Sequence, residues 1–341
     1  MTTVFEQEIR SQGDILRRRA LSGMEQAQLV SDGFADISYA LVAARGSSDN
    51  AAVFFQYLAG QELGLLVALA APSLYSGDRP IGLNGAGVLS ISQSGKTPGL
   101  IDVMHQAASQ HRPHAVVTND VESPLAKASD ALIDLNAGLE RSIASTKTFS
   151  ATWHALAQLV SALKKTPLDG LESLGDMVDR VTQWALSSTF PMSLLNAIGG
   201  LTVVGRGTGQ AVAAEISLKI REVAGIRCEA YSAADYLHGP IGAASEGSTL
   251  LLVVTDEMAE SVSSELLNES RRSGMSTVVL RAPGCARLSG DDEIVLSEAM
   301  PNWCVGLAEV IVGQVLALRI GELRGRPIDS SPGLKKITLS A

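Results

Sequence analysis

Apolar positions first recur at helical spacing. Within residues 1–35, FEQEIRSQGDILRRRAL and SGMEQAQLVSDGFAD predict two helices. The pattern then changes. In SYALVAARGSSDNAAVFFQYLAGQEL a compact apolar run meets a Gly-Ser turn and continues as an apolar helix. PIGLNGAGVLSISQSGKTPGLIDVMHQAASQ repeats the scheme of strand, polar turn and helix. HAVVTND and DALIDLNAG read as two more short buried strands, and STKTFSATWHALAQLVSALKK as a long helix. Strands alternating with helices predict βαβ units and a parallel sheet.

The second half repeats the first. ALVAARGSSDNAAVFF (40–55) aligns with LTVVGRGTGQAVAAEI (201–216), and GVLSISQSGKTPGLI (87–101) with STLLLVVTDEMAESV (248–262), both at an offset of 161. HAVVTN and STVVLR follow at 162. Three matches in order predict two copies of one α/β domain. The expected division is N-terminal helices over 1–35, a first domain over 36–167, a second over 168–325 and a tail over 326–341. The copies differ where chemistry would sit. The first has Ser92-Gln93-Ser94-Gly95-Lys96-Thr97, the second Val253-Val254-Thr255-Asp256-Glu257-Met258. Acidic side chains repel a phosphate, so an anion site in this loop belongs to the first half.

Composition narrows the picture. The 341 residues are 46% hydrophobic but only 4% aromatic, which suits helices lying close on a sheet. The net charge of -9 argues against a nucleic-acid partner, which needs a basic face. Cys228, Cys285 and Cys304 show no metal or disulfide spacing. The first residues are charged, without an apolar signal region, and no run of about 18 apolar residues escapes a charge or break. These features predict a cytoplasmic, reduced protein with no membrane span.

Gly95-Lys96-Thr97 is the end of a nucleotide P-loop. That motif also needs a glycine at position 90, where this chain has Ser90. What remains is hydroxyl-rich. Ser92, Ser94 and Thr97 sit at a strand's carboxyl end and a helix start, where free N–H groups and the helix dipole favour an anion. Simple helix capping accounts for one such hydroxyl. A second hydroxyl turn, Gly46-Ser47-Ser48, follows the preceding strand, and ligands of open parallel sheets bind at strand carboxyl ends.

GSS, SISQSGKT and ERSIASTKTF together resemble the successive loops of sugar isomerase (SIS) domains. LKIREVAGIRCEAYSAADYLHGP (218–240) resembles a block of the isomerase half of glucosamine-6-phosphate synthase and of its stand-alone relatives. The resemblance spans nearly the whole chain. It implies two tandem SIS domains, each a doubly wound, flavodoxin-like parallel sheet flanked by helices, that bind a phosphorylated sugar. Carried over by position, the phosphate ligands fall on Ser48, Ser92, Gln93, Ser94 and Thr97, with Ser47 nearby and Ser145 lining the sugar. The catalytic glutamate falls on Glu222, with Lys219 one turn before it. The ring-opening histidine falls on His238, and the C-terminal lysine on Lys336 or, second, Lys335. The resemblance also implies a homodimer in which His238 reaches the neighbouring subunit's site, and neither metal nor organic cofactor. Two positions depart from the family pattern: Lys96, where glutamate is common, and Arg45, where the synthase has a small residue.

These residue types suit the chemistry. Moving hydrogen between C1 and C2 of a 2-aminoaldose needs a positioned carboxylate, and ring opening needs a group that titrates near neutrality, such as histidine. A lysine amine can form a Schiff base with a sugar carbonyl. Taken alone, Lys219 and Glu222 read more readily as a surface ion pair, His238 equally as a loop histidine, and Lys336 more readily as a solvated tail. The chain begins almost at the first SIS copy and has no cysteine before Cys228, so glutamine-dependent synthesis is not expected. The expected reaction is glucosamine-6-phosphate plus water giving fructose-6-phosphate and ammonia. The alternatives are a galactosamine-6-phosphate deaminase, a fructosamine-6-phosphate deglycase, or a non-catalytic sugar-phosphate sensor.

Overall fold

A computed structural model describes residues 2–77, 79–197, 199–255, 260–285, 287–330, 333 and 336. Asp256, Glu257 and Met258 of the acidic loop, and Lys335, lie outside the described residues. The first half runs α1 Val4–Arg10, α2 Gln12–Gly33, β1 Tyr39–Ala43, α3 Ser47–Leu63, β2 Val67–Leu69, β3 Ala86–Ile91, α4 Pro98–Ser109, β4 His114–Thr118, α5 Pro124–Lys127, β5 Ala131–Asp134 and α6 Lys147–Lys164. The second runs α7 Leu174–Ser187, α8 Met192–Leu195, β6 Leu201–Gly205, α9 Thr208–Lys219, β7 Cys228–Ser232, α10 Ala233–Leu237, β8 Thr249–Val254, α11 Glu260–Arg272, β9 Ser276–Arg281, β10 Asp292–Val295 and α12 Asn302–Leu323.

Two five-stranded sheets result, ordered β2-β1-β3-β4-β5 and β7-β6-β8-β9-β10, with every pairing parallel. This is the doubly wound order, reversing between β1 and β3 in one sheet and between β6 and β8 in the other. The duplication reaches the backbone angles: the glycines that follow β1 and β6, Gly46 and Gly207, have φ/ψ of 60/-132° and 58/-131°. Strand pairing refines the alignment by one residue. Ala40 sits opposite Gly87, whereas Leu201 sits opposite Thr249, so the offset grows from 161 to 162 between these strands.

The chain divides into two compact units that interleave in sequence. The first comprises residues 12–140 and 147–175 together with Lys336; the second comprises 2–11, 141–146 and the described residues of 176–334. The N-terminal helices are therefore not a separate region: α2 belongs to the first unit and α1 to the second. The expected break near Ser22-Gly23 is absent, and α2 runs through it. Gly23 serves packing, since a Cβ there would stand 2.2 Å from Oε1 of Gln158 on α6. Arg19, one turn earlier and 1% exposed, reaches the Asp134 carbonyl and, at 2.7 Å, Gln158. Burial pushes its guanidinium down to about 10. Phe54 of α3 stacks on Trp153 of α6 at a centroid distance of 3.6 Å.

In the second unit α12 is long and apolar enough to cross a membrane by length and composition, which the sequence pattern did not lead us to expect. Its environment shows a core helix, with 94% of the apolar window buried within the protein. Asp329, in the segment expected to form the tail, accepts from the backbone N–H groups of Val4 (2.9 Å) and Phe5 (2.8 Å), so this stretch caps α1.

The sheet-to-helix turn of the second unit depends on a glycine pair. A Cβ on Gly205 would lie 2.1 Å from the carbonyl oxygen of Gly209, a backbone atom that no rotamer change can move. Gly205→Ala is expected to cost about 1–3 kcal/mol through overpacking and to lower the melting temperature measurably. Gly60→Ala, exposed in α3 with nothing within 4 Å of the new Cβ, is the control and is expected to be neutral or to stabilise by up to about 1 kcal/mol. A Gly205→Ala protein as stable as its parent would contradict this reading in thermal unfolding.

Candidate functional site

The first unit builds a hydroxyl-lined turn at the carboxyl end of β3. Ser90, where a P-loop needs its glycine, is a fully buried strand residue, so no nucleotide loop forms. Beyond β3 the Gly95 N–H donates to Ser92 Oγ at 3.1 Å and the Lys96 N–H to Ser94 Oγ at 3.3 Å. Gly95 makes the turn possible. Its φ is +60°, and a Cβ would lie 2.0 Å from Ser123 Oγ. Thr97 is the N-cap of α4, yet its side chain makes no capping bond, and Pro98 follows at the first helical position. Capping therefore explains none of these hydroxyls. Ser92 and Ser94 accept loop N–H groups with their lone pairs, which leaves each O–H proton as a donor toward an anion. The α4 N-terminus adds its dipole at the same place.

Ala43 pairs with Ser90 at the ends of β1 and β3, so the second hydroxyl turn leaves the neighbouring strand end. Ser47 and Ser48 are half-buried at the start of α3, behind the Gly46 hinge, where no side chain caps the helix. The counterpart in the second unit is altered. Thr208 is buried and donates its hydroxyl to Thr255 at 3.3 Å.

A cavity of about 510 Å³ adjoins the β3 turn, with Gln93, Ser94, Lys96, Asp120, Glu140 and Lys336 among its lining residues. Lys96 forms a 2.9 Å ion pair with Asp120, which follows β4. That bond holds the Asp120 carboxyl below the usual carboxylate range. Lys96 is thus tied to the cavity wall rather than free in solvent. Lys336 lies 2.9 Å from Glu140, whose side chain is fully buried. Of the expected residues, the cavity gathers Gln93, Ser94 and Lys336; Ser47, Ser48, Ser92 and Thr97 stand outside its lining. Ser145 is half-buried in the segment 141–146, which belongs to the second unit.

The second unit holds a different cluster. α9 ends at Lys219 and passes into a π turn, Ile220–Ala224, stopped by Gly225 in the left-handed region. Such turns are rare and concentrate at functional sites. Lys219 is completely buried, 2.6 Å from Glu222 and 3.5 Å from Glu215. Glu215 is also fully buried, while Glu222 keeps 21% of its side chain exposed. This is no surface ion pair. Of these three side chains Glu222 alone reaches the surface, and its carboxylate is held on one side by a buried ammonium. His238 stands exposed at the end of α10, before the Pro240–Ala243 turn.

Sequence reasoning missed Glu215 and Glu140. Glu215 stands four residues before Lys219, at a helical repeat, which was the available signal. Glu140 lies within ERSIASTKTF, but its partner is almost 200 residues distant and carries no local signature.

Comparison with known proteins places this geometry. The chain is 27% identical over 317 residues to the glutamine–fructose-6-phosphate aminotransferase [isomerizing] of Sulfurisphaera tokodaii, covering 93% of this chain and 52% of that protein. It is 28% identical over 257 residues to the enzyme of the same name from Streptococcus pneumoniae strain R6, covering 72% of this chain and 42% of that protein. The chain thus spans about half the length of the curated relatives it matches. Among solved structures, a Silicibacter pomeroyi protein provisionally assigned as a phosphosugar isomerase superimposes with a TM-score of 0.84 at 27% identity, covering 96% of this chain and 99% of that one. The glucosamine-6-phosphate deaminase of Thermotoga maritima shares the fold, with a TM-score of 0.80 at 20% identity over 99% and 100% of the two chains. The sequence pattern of the SIS domain matches residues 34–162 and 195–319, one copy on each five-stranded sheet, and the chain belongs to the SIS domain family.

Proposed function

We propose that the protein is an isomerising deaminase of an amino-sugar phosphate, converting glucosamine-6-phosphate and water to fructose-6-phosphate and ammonia. The observation that carries this reading is Glu222, a partly exposed carboxylate backed by a fully buried lysine on a π turn. The hydroxyls of Ser48, Ser92, Ser94 and Thr97, with Gln93, bind the phosphate, and Ser47 and Ser145 contact the sugar. His238 carries a proton between the ring oxygen and the anomeric hydroxyl, which opens the ring. Glu222 takes the C2 proton, giving an enolamine, and returns it to C1, which leaves an imine at C2. Lys336 displaces ammonia from that imine, and water then releases the ketose from the lysine. Lys219 compensates the charge of Glu222 throughout.

The exposed position of His238 supports its donation to a neighbouring subunit in a homodimer. The reverse reaction, adding nitrogen to fructose-6-phosphate, needs an ammonia donor. Assays in both directions, over glucosamine-, galactosamine- and fructosamine-6-phosphates, separate the enzymatic readings.

Ammonia release from glucosamine-6-phosphate is expected in a coupled assay. Binding of every amino-sugar phosphate without turnover would instead mark a sensor. Glu222→Gln is expected to lower kcat by about 10²–10⁴-fold, the usual size of a general acid–base contribution, while substrate still binds. A second prediction concerns the turn after β3. Ser94→Ala and Thr97→Val each remove a hydrogen bond to a charged group, and calorimetry should show substrate binding weakened by about 1.5–3 kcal/mol. Unchanged affinity in both would remove the phosphate from this turn.

A further inference from the structure

The geometry points to Glu140 as the residue that positions the tail lysine, seating the Lys336 ammonium in the cavity beside the β3 turn. The inference rests on the role proposed above for Lys336 and adds the group through which that role is exercised. Glu140 is fixed before the lysine arrives. Its side chain is completely buried and accepts from the Thr148 hydroxyl at 2.6 Å and from the Thr148 N–H at 3.2 Å. Thr148 belongs to the first turn of α6, a helix buried along most of its length, so the carboxylate is anchored to a core helix of the first unit. The residue before it is fixed too: buried Lys147 donates to the Leu139 carbonyl at 2.8 Å.

Lys336 is the adaptable half. Its side chain keeps 24% of its surface exposed, and its Nζ lies 2.9 Å from Glu140 Oε2. Both residues line the cavity that Gln93 and Ser94 also line. A long amine samples many rotamers unless something holds it. The pair therefore places a primary amine in the same cavity as side chains of the β3 turn, in reach of an imine carbon of a sugar bound there.

Two readouts on Glu140→Gln, Lys336→Met and the double variant test this. The first is acetic anhydride labelling followed by mass spectrometry, with Lys127, 67% exposed, as internal reference. In the parent protein Lys336 should react about tenfold more slowly than Lys127, as expected for an amine held by a charged hydrogen bond. In Glu140→Gln, whose amide still accepts from Thr148, it should react severalfold faster than in the parent, with Lys96 labelling unchanged. The second readout is turnover. Glu140→Gln should fall to the Lys336→Met level and the double variant no lower, while affinity for inorganic phosphate is unchanged. Lys336 labelling that is the same with and without the Glu140 charge would overturn the inference. So would a double variant clearly slower than either single one, because Glu140 would then act by another route. If the parent releases no ammonia, the functional reading fails separately and the labelling result still decides the seat.

Discussion

Parallel strand pairing governs what this chain can do. A parallel sheet sends every strand's carboxyl end to one edge, and each strand there hands over to a helix whose first N–H groups are unsatisfied. At the switch point the helices depart to opposite faces and the edge opens. In the first unit that opening lies between β1 and β3, and the chain fills it with serine and threonine around two left-handed glycines, Gly46 and Gly95. Gly95 cannot be replaced without moving Ser123. The second sheet has the same hinge at Gly207, but the following threonine is buried against Thr255. The same frame occurs twice, and among the described residues the second copy turns the hydroxyl after its hinge inward to Thr255.

The second copy carries a different polar device. Burying Lys219 outright is unfavourable unless carboxylates meet it, and Glu215 and Glu222 do so from the preceding and following turns. The π turn begins directly after Lys219, and Glu222 lies within it. Because removing one member of a buried ion cluster strands the others, Lys219 fixes Glu222 structurally as well as electrostatically. The first unit repeats the logic with Glu140, a fixed buried carboxylate that meets a lysine from elsewhere in the chain.

Much of this was legible in the sequence. The alternation of apolar runs and turns marked the strands, since strands of a parallel sheet are buried on both faces and read as continuous apolar stretches. The duplication followed from spacing, and its one-residue error arose because spacing cannot see strand register. The two N-terminal helices were expected to meet at Leu21 and Ser22 but meet at Ser11, because apolar periodicity continues through both and does not mark the joint. The membrane-like composition of α12 likewise reflects a core helix covered on all sides. At the site, Glu222 and Lys219 were visible at helical spacing, but their burial was not, and burial separates this cluster from an ordinary ion pair. Glu140 lies within ERSIASTKTF and Lys336 almost 200 residues further on, and nothing local joins residues brought together by tertiary structure.

The central claim is that Glu222 moves the C2 proton of a sugar held by its phosphate. Proton NMR of glucosamine-6-phosphate incubated in D₂O reads that step directly. The account predicts that the C2–H resonance disappears as ketose signals grow with the parent protein, and persists with Glu222→Gln although the sugar still binds. A C2–H signal that survives with the parent protein, or that decays equally fast with Glu222→Gln, would contradict it.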